Sequence, residues 1–161
     1  MVFQVDIALD SGDLLNPQLF WQFSCDTYAR EEVKILCLHC QNKLGLNVNL
    51  LLLCAWLTKF DGSLSVADWQ RLQEVIAQSE LELAELREQR RQLEKGRPRY
   101  KAHMQQELEL EARQQSAIIT ALGQLEYRKT SDNPLCSYFS AANCHDKQCL
   151  QRLLALFSIS K

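Results

Sequence analysis

The sequence predicts an all-α fold: an N-terminal three-helix core (residues 1–62), a long antiparallel helical hairpin resembling a coiled coil (63–129, tip at 96–99), and short C-terminal helices (130–161) that pack back on the core. Three observations carry this prediction. Five Gly and three Pro among 161 residues are too few for a turn-rich β protein. Apolar residues recur at alternating spacings of three and four on both sides of one Gly/Pro break, Gly96 to Pro98. Asn-Pro pairs at Asn16-Pro17 and Asn133-Pro134 each put a capping side chain ahead of a proline at the first helical position, where its missing N–H costs nothing.

Taken in order, the first helix runs from Pro17 to about Ala29, with Leu19, Phe20, Phe23 and Tyr28 available for burial. A second covers Glu31 to Lys43 and stops at Gly45. Asn47 or Asn49 caps a third through Leu57, apolar nearly all round and so central to the core. Phe60-Asp61-Gly62-Ser63 reads as a turn, and Ser65 with Asp68 forms an acidic variant of the capping box. The first hairpin arm then carries the seam Trp69, Leu72, Ile76, Ser79, Leu83, Leu86, Arg90 and Leu93. Pro98 ends it, and the second seam is Met104, Leu108, Glu111, Gln115, Ile118, Leu122 and Leu125. Arg87, Arg90 and Arg91 are expected to face Glu107, Glu109 and Glu111, so the base of the hairpin docks on the core and the tip projects. After a linker at Thr130 to Asn133, one helix spans Pro134 to about Ala142 and another Asp146 to Phe157.

A net charge of −2 gives no global bias toward anions. The N-terminal stretch holds Asp6, Asp10 and Asp13 with no Lys or Arg, unlike an export signal, and reads as extended. The most apolar run, Val48 to Leu57, is far short of the roughly 20 residues a membrane span needs. With seven Cys, an odd number, the expectation is a cytoplasmic chain with reduced thiols.

Phe20-Trp21-Gln22-Phe23-Ser24 and Gly45-Leu46-Asn47-Val48-Asn49-Leu50-Leu51-Leu52 resemble the start of an uncharacterised proteobacterial family of short conserved hypothetical proteins, of about this chain's length. The resemblance covers residues 14–84. It implies a bacterial origin and an all-helical domain, and it brings no function, cofactor or site residue with it. In that family the C-terminal half is variable.

Few motifs carry chemistry. Cys37-Leu38-His39-Cys40 has Cys-x-x-Cys spacing, but it falls mid-helix rather than at a helix N-terminus and reads as packed core thiols. Cys136, Cys144, His145 and Cys149 match a zinc site in composition. The adjacent Cys144 and His145 diverge on a helix, so ordinary packing is the expected role and no cofactor is implied. Phosphate-binding Gly loops, the Gly-x-Ser-x-Gly elbow and His-Glu-x-x-His do not occur.

The largest local charge imbalance lies at the hairpin tip. Seven basic residues between Arg87 and Lys101 stand against Glu88 and Glu94, a surplus of five. Arg90, Arg91, Lys95, Arg97, Arg99, Tyr100 and Lys101 are therefore the candidate contact residues, with Arg97 and Arg99 beyond reach of the glutamates at 107 to 111. The expectation is a non-enzymatic interaction or adaptor protein that meets a protein partner through this tip. An RNA- or ribosome-associated factor using the same tip is the alternative, and an enzyme or ligand binder with a helix-lined pocket the second alternative. The chain is expected to be a monomer, or a homodimer through the hairpin, with no membrane partner.

Overall fold

A computed structural model describes residues 12–125, 128–129 and 132–158. Seven helices account for about three quarters of it: α1 (Pro17–Tyr28), α2 (Glu31–Leu44), α3 (Val48–Lys59), α4 (Val66–Arg91), α5 (Pro98–Leu122), α6 (Pro134–Ala141) and α7 (Lys147–Ser158). The expected extended stretch through Asp6 and Asp10, and Thr130-Ser131 of the linker, lie outside the described residues.

Local chemistry sets the helix ends. Asn16 Oδ1 accepts from the backbone N–H groups of Gln18 and Leu19, and Asn47, Ser65 and Asn133 cap α3, α4 and α6 in the same way. Gly45 ends α2 at φ +67°, left-handed backbone that a side chain would strain. Pro98 opens α5 at its first position, while Gly123 ends it. Two local details were not visible in the sequence. Asp13 belongs to a 3₁₀ turn, Asp13–Leu15, rather than to an extended segment. The turn at Phe60 leads into a two-residue strand, β1 (Gly62–Ser63), paired antiparallel with β2 (Arg128–Lys129). Two residues are too short to show strand periodicity.

One continuous cluster of buried apolar residues runs from Leu14 to Phe157 and draws on all seven helices. Every residue of α3 from Asn49 to Leu57 is buried, as its all-round apolar character requires. Buried polar handles find partners here: Trp56 Nε1 donates to the Leu14 carbonyl at 3.0 Å, and Trp69 Nε1 to Ser137 Oγ at 2.8 Å.

Helices α4 and α5 pack antiparallel, since Ser79 pairs with Gln114 while Arg90 pairs with Glu107. At 1.5 Å per residue the 26 residues of α4 extend about 39 Å. Trp69, Leu72, Ile76, Ile118, Ile119 and Leu122 join the core, whereas Leu83 and Leu110 are buried only between the two arms. The hairpin base is thus anchored in the core.

The second seam holds at its inner end, where Gln115, Ile118 and Leu122 are buried as expected, and departs from the expectation at its outer end. There Met104 and Leu108 are 51% and 46% exposed, and Glu107, Leu110 and Gln114 are buried instead. An apolar count selects Met104 and Leu108 because the residues actually facing α4 in the outer half are polar ones with polar partners.

Candidate functional site

The polar residues of the hairpin gather where the N-terminus of α3 meets α4 and α5. Asn47 Nδ2 donates to Glu80 Oε2, and also to Gln114 Oε1 at 3.1 Å. Asn49 Nδ2 donates to Gln114 Oε1 at 2.9 Å and to the Glu111 backbone carbonyl at 3.3 Å. Gln114 Nε2 reaches Ser79 Oγ at 2.9 Å, and Gln115 Nε2 reaches Asn49 Oδ1 at 3.0 Å. A backbone carbonyl can only accept, so it fixes the Asn49 amide with its nitrogen toward Glu111. Asn49 Oδ1 must then accept from Gln115 Nε2, which leaves Gln115 Oε1 as an acceptor.

That atom has no hydrogen-bond partner, nor does Ser24 Oγ on α1, although Gln115 and Ser24 are only 2% and 3% exposed. A buried polar group left unbonded costs about 1–3 kcal/mol. Both residues belong to the wall of a cleft of about 610 Å³. Helix α5 packs on α1 and α3 but not extensively on α2, so the cleft opens between α2 and α5. Trp21, Leu38, Val48, Leu52, Met104 and Leu108 give it apolar walls. Trp21 and Ser24 come from one of the two sequence segments singled out above, and Asn47, Val48, Asn49 and Leu52 from the other.

The charged groups of the cleft divide into two sets. Arg87 bridges Glu80 (3.3 Å) and Glu111 (3.5 Å). Arg90 binds both carboxylate oxygens of Glu107 at 2.5 and 3.1 Å and lies over the Tyr100 ring. Burial raises the Glu111 carboxyl above its usual range, opposed by Arg87, and raises Tyr28 to about 12. Lys34 on α2 and Lys101 on α5 are exposed and have no acidic partner among the described residues.

This geometry alters the reading of the basic tip. Arg90 is held by Glu107 and Tyr100 inside the hairpin, and the hydrogen bond to Glu107 is the main reason its pKa is raised. Arg91 pairs with Glu88 of its own helix at 3.1 Å rather than with α5. Arg97, expected to stand alone, pairs with Glu94 at 3.0 Å, since the turn folds its own acid back onto it. Lys95, Arg99 and Lys101 remain exposed and without an acidic partner among the described residues. Only Lys101 also lines the cleft, together with Arg90.

The cysteines redistribute as well. Cys40 Sγ lies 3.2 Å from Cys149 Sγ, joining one member of each sequence cluster across α2 and α7. Burial pushes the Cys37 thiol up to about 12 and raises Cys40 and Cys149 too, the character of packed rather than reactive thiols. Cys136 and His145 face outward while Cys149 turns inward, and no three ligand-type side chains converge on a metal-sized site among the described residues. No described helix is long and apolar enough to cross a membrane.

Comparison with curated proteins and with solved structures gives no match. A family model, described as a protein of unknown function (DUF2390), matches residues 19–118. That span goes beyond the 14–84 resemblance to take in the hairpin turn, most of α5 and every residue lining the cleft. The chain belongs to the DUF2390 family of proteins of unknown function.

Proposed function

We propose that this is a non-enzymatic binding protein whose ligand is a small organic molecule seated in the cleft between α2 and α5. The observation that carries the reading is that two residues lining a partly apolar cleft, Ser24 and Gln115, each bury a polar atom, Oγ and Oε1, without a hydrogen-bond partner. Native interiors rarely leave such atoms unbonded, and a ligand that reaches them recovers their cost. The cleft chemistry favours binding over catalysis. Ser24 Oγ has no base within hydrogen-bond distance, and partial burial together with the neighbouring Asp26 charge raises the exposed Cys25 thiol, so neither is an activated nucleophile.

The test is a fragment screen by protein NMR. Binders should shift amide signals of α1, α2 and α5 around the cleft, and Leu108→Trp, at a half-exposed wall position, should abolish those shifts while leaving the fold intact. Fragments that shift other surfaces only, or shifts that survive Leu108→Trp, would overturn the reading.

A second reading keeps the hairpin turn as a contact for an anionic protein or RNA, favoured by the unpaired Lys95 and Arg99. In that case Lys95→Glu with Arg99→Glu releases the partner and leaves fragment binding unchanged.

A further inference from the structure

Resting on that cleft reading, we propose that the ligand is an amphipathic organic anion: an apolar body that carries an N–H or O–H donor and an anionic group. The charge inventory of the cleft leads to this class. Four cationic side chains (Lys34, Arg87, Arg90 and Lys101) line it against two carboxylates, Glu107 and Glu111. Both carboxylates are bound by the arginines, Glu107 by Arg90 and Glu111 by Arg87. With Glu80, which Arg87 also bridges, four cations stand against three carboxylates, and the two cations without an acidic partner among the described residues are the exposed Lys34 on α2 and Lys101 on α5. A cationic ligand is repelled there, and a neutral one gains nothing. Walls of low dielectric concentrate the field of charges that line a cleft, so an anion gains more from these lysines than from lysines on open surface.

The middle of the cleft calls for an apolar body. Met104 and Leu108 are half-exposed on α5, and Trp21 and Leu38 belong to the walls supplied by α1 and α2. On the wall that Gln115 supplies, the amide chain running from the Glu111 carbonyl through Asn49 fixes Gln115 Oε1 as an acceptor. The group that satisfies it is a donor. One molecule that combines a donor, an apolar body and an anionic group meets all three features.

Two dyes separate the parts of this claim. 1-Anilinonaphthalene-8-sulfonate has fused and single aromatic rings, an anilino N–H and a sulfonate. N-phenyl-1-naphthylamine is the same molecule without the sulfonate. Binding is read from dye emission excited through tryptophan, with Trp21→Phe assigning the transfer to the cleft wall. The sulfonate dye should bind about tenfold more tightly at low salt, the scale of two partly screened ion contacts. That advantage should vanish at high salt and in Lys34→Gln/Lys101→Gln, and should persist in Lys95→Gln/Arg99→Gln. If both dyes bind equally and Leu108→Trp abolishes both, the anion inference falls while the cleft reading stands. If neither binds, or if binding is indifferent to Leu108→Trp and Trp21→Phe, the inference falls together with the cleft reading.

Discussion

Ser24→Ala should make the protein more stable. The Ser24 hydroxyl is buried in α1 and makes no hydrogen bond, not even to a carbonyl of the preceding turn, the usual refuge for a helical serine. Removing an unsatisfied buried hydroxyl recovers about 1–3 kcal/mol. Alanine adds about 0.5 kcal/mol of helix propensity. The lost oxygen contacts take back a few tenths of a kcal/mol. The net gain is about 1–3 kcal/mol, which for a chain of this size raises Tm by about 2–10 °C. Calorimetry measures the shift directly, and urea titration should show a higher midpoint at unchanged slope. A serine at a position where alanine is more stable fits a binding site better than a structural one. An unchanged or lower Tm would mean the hydroxyl has a partner in the folded protein, and one of the two atoms carrying the cleft reading would be lost.

Three further outcomes follow from the same geometry. Arg90→Ala leaves Glu107 buried without its cation and should cost about 1–3 kcal/mol in urea titrations, whereas Arg99→Ala, at the exposed start of α5, should stay within about 0.5; equal effects would refute the structural role of Arg90. Thiol labelling of the native protein should modify the exposed Cys25 and Cys136 first, and Cys37, Cys40, Cys54 and Cys149 only on unfolding, with rapid native labelling of Cys54 contradicting the core. Glu111, raised above its ordinary 4.5 chiefly by burial, holds its proton to higher pH in the folded protein than in the unfolded chain. Its contribution to stability is therefore full below about 4.5 and is lost as pH rises through the raised value, so Glu111→Gln should flatten a falling stability slope just above pH 4.5, and an unaltered slope would refute the burial.

Helix positions were legible in the sequence because the signals are local. Asn16, Asn47, Ser65 and Asn133 each cap the helix that their identity announces, and Gly45 and Pro98 stop and start helices for steric reasons. The cleft was not legible, because it depends on which stripe of α5 faces α4. Period alone cannot choose between Met104–Leu108 and Glu107–Leu110 when the outer half of the interface is polar. Nor can spacing bring Cys40 to Cys149, which lie 109 residues apart. The one available signal was the recurrence of amide side chains, Asn47, Asn49, Gln114 and Gln115, flanking apolar runs. Such residues are rarely buried without partners, and here they are one another's partners.

Those amides explain why a cleft exists at all. Two apolar helix faces separated by a gap normally close, since each Å² removed from water gains about 25 cal/mol. Here α5 is held at a fixed distance by the polar cluster. Gln114 is tied to α3 through Asn47 and Asn49 and to α4 through Ser79, and Arg87 ties Glu111 to Glu80. Sliding α5 toward α2 would break those bonds in a buried setting, where each broken one costs more than it contributes when made. Met104 and Leu108 therefore stay half-exposed opposite α2 instead of collapsing onto it. The polar residues of the hairpin, Ser79 in the first arm and Glu111 and Gln115 in the second, would be defects in a purely apolar seam. Here Gln114 joins Ser79 across the arms and Asn49 joins Glu111 and Gln115 to α3, so they fix where α5 stands.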